Sequence, residues 1–149
     1  MPVGWSSCGH NLSARFIIVV SLLIENQGEF LLLKRCADKD HAPGEWEGVS
    51  GSVEHGESPA VAALREAREE TGLIVEILQP LDTFHFYRGI GKEEAIGITY
   101  HCCSIDRQVT LSVEHDAFAW VSPAEAAKFA VNEGLLKCIS AAGAVSHSN

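Results

Sequence analysis

Apolar positions fall into two periods along the chain, and the change from one to the other marks the elements. Arg15–Glu25 is dense in Ile, Val and Leu and reads as a buried strand. Asn26-Gln27-Gly28-Glu29 is a turn signal, and Phe30–Lys34 reads as the returning strand of a hairpin. Residues 36–45 form a polar loop, followed by a short strand or extended segment at Trp46–Ser50. A helix is predicted over Pro59–Thr71. Ser58 suits its N-cap, Pro59 its first position and Gly72 the residue just past its end. Leu73–Tyr87 reads as one long strand, or two short ones broken near Pro80. Arg88–Lys92 turns the chain, and Ala95–Ile105 and Ala117–Val121 are further strands. Ser122-Pro123 opens a second helix of about two turns, and Glu133–Ala142 a terminal one. Strands, helix, strands, helix is the order of an α/β protein with a mixed sheet and helices on both faces. Residues 14–144 are expected to form this single domain, between a loose arm at 1–13 and a frayed tail at 145–149.

The helix at Pro59–Thr71 has an unusual distribution of charge. At 100° per residue, with Glu66 at zero, Glu70 lies near about +40° and Glu69 near about −60°. The three carboxylates thus share one arc, with Ala62 a turn earlier leaving room. Ala60, Leu64, Ala67 and Thr71 gather on another side as the stripe expected to pack on the sheet. Like charges at this spacing cost only a few tenths of a kcal/mol on an exposed helix. A solvated acidic face, with Arg65 pairing Glu69, is therefore one reading. Three carboxylates that converge are equally what a hard divalent cation requires.

Composition narrows the choice. The net charge of −9, with 11 basic residues spread among 20 acidic ones, argues against a nucleic-acid polymer as partner. A small anionic substrate would need a metal ion to offset the repulsion. The five cysteines show no ligand-pair spacing; Cys102 and Cys103 are neighbours that point to opposite faces of a strand. No apolar run follows a basic start, and the longest one, Phe16–Ile24, falls short of the roughly 20 residues of a membrane span. A reducing, cytoplasmic location without membrane attachment is the expectation.

Spacing decides between the two readings of the helix. Gly51, Glu57, Arg65, Glu66, Glu69, Glu70 and Gly72, with Leu73, stand in the order G-x5-E-x7-R-E-U-x-E-E-x-G-U, where U is a bulky aliphatic and Ala67 replaces the first one. This resembles the Nudix box. Trp46-Glu47-Gly48-Val49-Ser50 resembles the approach to that box, with Val49 and Ser50 in place of a proline and a glycine. Leu111-Ser112-Val113-Glu114-His115 and Trp120-Val121 resemble a run that many members carry after it.

The resemblance implies a Nudix-type α/β/α sandwich and a Mg²⁺-dependent pyrophosphohydrolase, with Mn²⁺ as a substitute ion. It acts on a small-molecule nucleotide, a nucleoside diphosphate linked to another group, with a lean to nucleoside triphosphates. Glu66, Glu69, Glu70 and the Ser50 carbonyl match metal ligands. Arg65 matches the arginine that orients a box glutamate, Glu57 the glutamate that braces the loop. The proton acceptor is Glu66, Glu69 or the later Glu114. Arg35, His85 and Tyr87 are candidate substrate contacts, with Phe84 and Phe86 on the opposite strand face, so one of the two pairs is expected in the core. A catalytically inactive nucleotide-sensing domain is the alternative, although such domains commonly lose a box carboxylate and this chain keeps them all. Many relatives are homodimers, and no feature of this chain marks such an interface.

Overall fold

A computed structural model of the protein describes residues 15–39, 41–129 and 131–146. The arm expected at 1–13 and the last three residues lie outside these. In chain order the elements are β1 (Ile17–Asn26), β2 (Glu29–Arg35), β3 (Trp46–Glu47), β4 (Val49–Ser52), α1 (Pro59–Thr71), β5 (Val75–Arg88), β6 (Glu93–Ser104), β7 (His115–Val121), α2 (Pro123–Ala126) and α3 (Glu133–Ser146).

The sheet runs β3-β2-β1-β6-β5, with β7 on the other side of β2 and β4 paired to β1. It is mixed, because β1 and β6 are parallel and the other pairs antiparallel. Strand alternation sends Val20, Leu22 and Ile24 to one face, where Ala62, Ala63 and Ala67 of α1 cover them. It sends Leu23, with Phe30 and Leu32, to the other face, under Leu135 and Ile139 of α3. This is the α/β architecture that the element order implies. No helix among the described residues is long and apolar enough to cross a membrane.

Several local outcomes differ from the sequence reading, or choose between its alternatives. The extended segment at 46–50 is two strands with different partners: β3 pairs β2, β4 pairs β1. Gly48 lies between them, where a Cβ would stand 2.7 Å from the Leu22 carbonyl oxygen. The β1–β2 hairpin pairs only at its turn, Glu25 with Phe30 and Asn26 with Glu29, because β4 takes up the rest of that edge of β1. The strand around Pro80 is continuous, and shifts its register on both sides of the proline. The second helix is one turn, Pro123–Ala126, and the terminal helix runs on to Ser146, past the start expected for the tail.

Candidate active site

Ser58 and Gly72 bound α1 as the sequence predicts. The Ser58 hydroxyl accepts from Val61 N–H, and Gly72 adopts φ 73°, the left-handed conformation. The buried arc is different. Ala62, Ala63, Ala67, Glu70 and Thr71 are buried, whereas Ala60 and Leu64 are exposed. The helix is therefore rotated so that a carboxylate, Glu70 at 6% exposure, lies in the middle of its packed face. Glu66 is at the margin of that face, and Glu69, with a 58% exposed side chain, is outside it.

What Glu66 and Glu70 face is β4. Its register with β1 places Gly51 opposite Val20 and Ser50 opposite Ser21. Val53 N–H donates to the Ile18 carbonyl at 2.8 Å, so alternate residues of this ladder exchange bonds, and Ser50 and Ser52 are the ones that do not. Their backbone groups point to the open side of β4. There Ser50 N–H donates to Glu70 Oε2 at 3.4 Å, and the Ser52 carbonyl accepts from Arg65 Nη2 at 3.0 Å. Strand geometry turns the Ser50 carbonyl to that same side. Gly51 allows the approach: a Cβ there would collide with the Glu66 carboxyl group.

Arg65 organises the box. It donates to Glu57 Oε1 at 2.6 Å and Oε2 at 3.1 Å, to Glu66 Oε1 at 2.8 Å and to Glu69 Oε2 at 3.2 Å. The bonds from Arg65, and then one from Glu54 N–H, hold the Glu57 carboxyl below its ordinary range. Glu66, Glu69 and Glu70 do not converge as the helical wheel suggests. Among the described residues no three carboxylates, histidines or cysteines stand together at ligating distance. Arg65 draws Glu66 and Glu69 to itself, while Glu70 turns to the Ser50 N–H.

Glu70 is left over. No cation among the described residues lies within ion-pair distance of it. Burial, then the neighbouring charges of Glu66 and Glu47, push its carboxyl up to about 9. Burial likewise raises Glu66, against the pull of Arg65.

Glu47 is the residue that sequence reasoning missed. It lies on β3 opposite Leu33, and its Oε1 accepts from Arg35 Nη1 at 3.0 Å and from His115 Nε2 at 2.9 Å. Arg35 is thus committed to Glu47, and its Nε donates to the His41 carbonyl. Its position in W-E-G before the box was the available signal. Glu114 is close enough to raise both Glu66 and Glu70 electrostatically.

The other face of β4 carries a second set of groups. Since Gly51 faces α1, the side chains of Ser50 and Ser52 face away from it. Pairing aligns Ser50, Ser21 and Thr99 in one row, and Ser52, Val19, Gly97 and Phe84 in the next. Phe84 covers Gly97, where a Cβ would overlap its ring, and stacks on Phe86 with centroids 5.6 Å apart. Arg88 Nη1 donates to Ser52 Oγ at 2.9 Å. His85 and Tyr87 lie on the α1 side, 52% and 61% exposed, with His85 bonded to Glu94 at 2.8 Å. Neither aromatic pair is core. This corrects the expectation that one would be, because among the described residues β5 is the edge strand and no helix reaches this end of it.

A NUDIX domain model matches residues 15–141 of the chain. Nucleoside triphosphatase NudI of Escherichia fergusonii is 36% identical over 135 residues, covering 84% of this chain and 95% of that protein. The protein of the same name from Klebsiella pneumoniae subsp. pneumoniae is 37% identical over 134 residues, with the same coverage. Among solved structures, the E. coli ORF135 protein superposes with a TM-score of 0.71 at 30% identity, covering 90% of this chain and 93% of its own. A C. elegans Ap4A hydrolase gives 0.71 at 26% identity, covering 89% and 99%. The box on α1 and β4 and the mixed sheet that holds it are therefore those of a known group, and the chain belongs to the NUDIX family of hydrolases.

Proposed function

We propose that the enzyme hydrolyses a nucleoside triphosphate at a phosphoanhydride bond, with Mg²⁺ as its ion, giving a nucleoside monophosphate and pyrophosphate. The observation that carries this is Glu70: a carboxylate buried on the packed face of α1, beside Glu66, without a cation of its own. Glu47 has Arg35 and Glu66 has Arg65, so the missing positive charge is at Glu70. Carboxylate oxygens and a strand carbonyl are hard oxygen donors, which suits Mg²⁺. Glu66, Glu70 and the Ser50 carbonyl would hold it, with Glu69 joining once released from Arg65. When bound, the ion offsets the repulsion between phosphates and an acidic protein and activates water for attack.

The chain's own groups supply the rest. Glu114, in the loop before β7, accepts the proton of the attacking water. Arg65 keeps Glu66 turned to β4. Phe84 and Phe86 offer a flat apolar surface on which a base can stack, beside the hydroxyls of Ser50, Ser21 and Thr99, and Arg88 faces a phosphate from the rim. This assignment replaces Arg35, His85 and Tyr87 as substrate contacts, because Arg35 is held by Glu47 and the other two lie on the face of β5 opposite Phe84 and Phe86. The triphosphatase name of the two relatives supports the substrate class.

A panel of nucleoside triphosphates, ADP-ribose and dinucleoside polyphosphates, with products resolved by ion chromatography, tests the proposal. Monophosphate and pyrophosphate should form with Mg²⁺ and stop with EDTA. Turnover that survives EDTA, or orthophosphate as the first product, would contradict it.

A further inference from the structure

His115 contributes to none of the steps above, yet its side chain is only 1% exposed. Its Nε2 stands 2.9 Å from Glu47 Oε1. A carboxylate only accepts, so Nε2 carries the proton. Nδ1 is enclosed with no hydrogen-bond partner among the described residues. An enclosed ring nitrogen left unsatisfied is a cost to folding, so packing alone does not account for an imidazole here.

The backbone explains how it gets there. Lys34 pairs with Ala117, but Arg35 pairs with His115, so Asp116 is an extra residue in β7. This bulge turns His115 onto the α1 side of the sheet, against Glu47 and Arg35, as bulges beside active sites commonly re-aim a side chain. The residue before it is Glu114. Its side chain is 55% exposed, with one long contact, Lys39 Nζ at 3.8 Å. Its backbone is held closely instead. The Glu114 carbonyl accepts from Cys36 N–H at 3.1 Å, and Ser112 N–H donates to the Glu70 carbonyl at 3.2 Å. His115 closes this set from the C-terminal side.

We propose that His115 is a positioning residue for Glu114: anchored on Glu47, its imidazole fixes the start of β7 so that the Glu114 carboxylate is presented to the α1 carboxylates. This rests on the reading of Glu114 as proton acceptor. If it holds, breaking the anchor lowers the catalytic step and leaves nucleotide binding alone.

The test is a double-mutant cycle on the full chain with Mg²⁺ and the nucleoside triphosphate turned over fastest. Glu114→Gln should lower kcat by about 100-fold. His115→Leu, which fills the space without an N–H, should lower kcat by about 10-fold with KM changed less than about twofold. His115→Gln, which keeps a donor near the Nε2 position, should recover most of that loss. The double variant E114Q/H115L should be no slower than E114Q alone, because the anchor acts only through Glu114. Thermal melts run alongside, and if His115→Leu does not fold, the cycle is run with Glu47→Ala, which removes the anchor from the other side. Wild-type kcat in His115→Leu, or in Glu47→Ala where it takes its place, or losses that multiply with E114Q, would overturn the proposal. Wild-type turnover in E114Q itself would instead remove the reading of Glu114 on which it rests.

Discussion

At the scale of single residues, Glu70 and Gly51 separate what the site needs from what the fold prefers. An unfolded glutamate ionises near its ordinary value, whereas Glu70 in the metal-free fold keeps its proton up to about 9. Between those values folding takes up a proton, so the stability of the metal-free protein falls as pH rises across that window. Glu70→Gln removes the effect. Its Tm in EDTA at pH 8 should exceed wild type by at least about 3 °C, roughly 1 kcal/mol for a chain of this size. Its Mg²⁺-dependent turnover should fall by about 100-fold or more. A variant no more stable than wild type would show that Glu70 is not a source of strain. Gly51→Ala tests the approach of Glu66 to β4 from the strand side. The added methyl displaces the Glu66 carboxyl, and kcat should drop by at least about 10-fold. Far-UV circular dichroism distinguishes this from loss of the strand.

At the scale of elements, capping decides where the helices begin. Ser122 and Glu125 form a reciprocal box at α2: the hydroxyl accepts from Glu125 N–H at 3.3 Å, and Glu125 Oε2 accepts from Ser122 N–H at 3.0 Å. Ser122→Ala should cost about 1 kcal/mol, seen as a Tm lower by about 2–4 °C. The bonds from Ser122 hold the Glu125 carboxyl below its ordinary range. Its contribution is therefore complete above that range and disappears as pH falls through the depressed value. Melts between pH 6 and 3 should show a shallower acid-side loss in Glu125→Gln than in wild type. Equal slopes would mean that the box does not form in solution. The limits of α1 were legible because capping is a local matter of Ser58, Pro59 and Gly72. The single turn of α2 was not, because the path of the chain beyond Ala126 is set by the packing of Phe129 on Trp46, 4.9 Å between ring centroids.

At the scale of the whole molecule, the site joins segments far apart in sequence. Among the described residues β4 pairs only with β1, so its open side meets Glu66 and Glu70 from one face of the sheet and Arg88 from the other. A nucleotide lying across that edge would place its phosphates at the carboxylates and its base at Phe84. Phe84→Ala and Arg88→Gln should each raise KM for the best nucleoside triphosphate by about 10-fold, with kcat within about threefold of wild type. His85→Ala and Tyr87→Ala should leave both constants unchanged. The reverse pattern would place the base on the α1 side.

The sequence by itself determined the box, the helix that carries it, the mixed sheet and the chemistry to expect, because caps, strand alternation and motif spacing are properties of neighbouring residues. It could not determine the rotation of α1. With Ala at 60, 62, 63 and 67 the helix has no bulky stripe to orient it, and the sheet chose the face that buries Glu70. Nor could it reveal that Glu47 takes Arg35 and His115 as partners, or that β5 leaves neither of its aromatic pairs in the core. Those outcomes depend on which strand lies beside which, and that is settled only when distant segments compete for the same edges and faces.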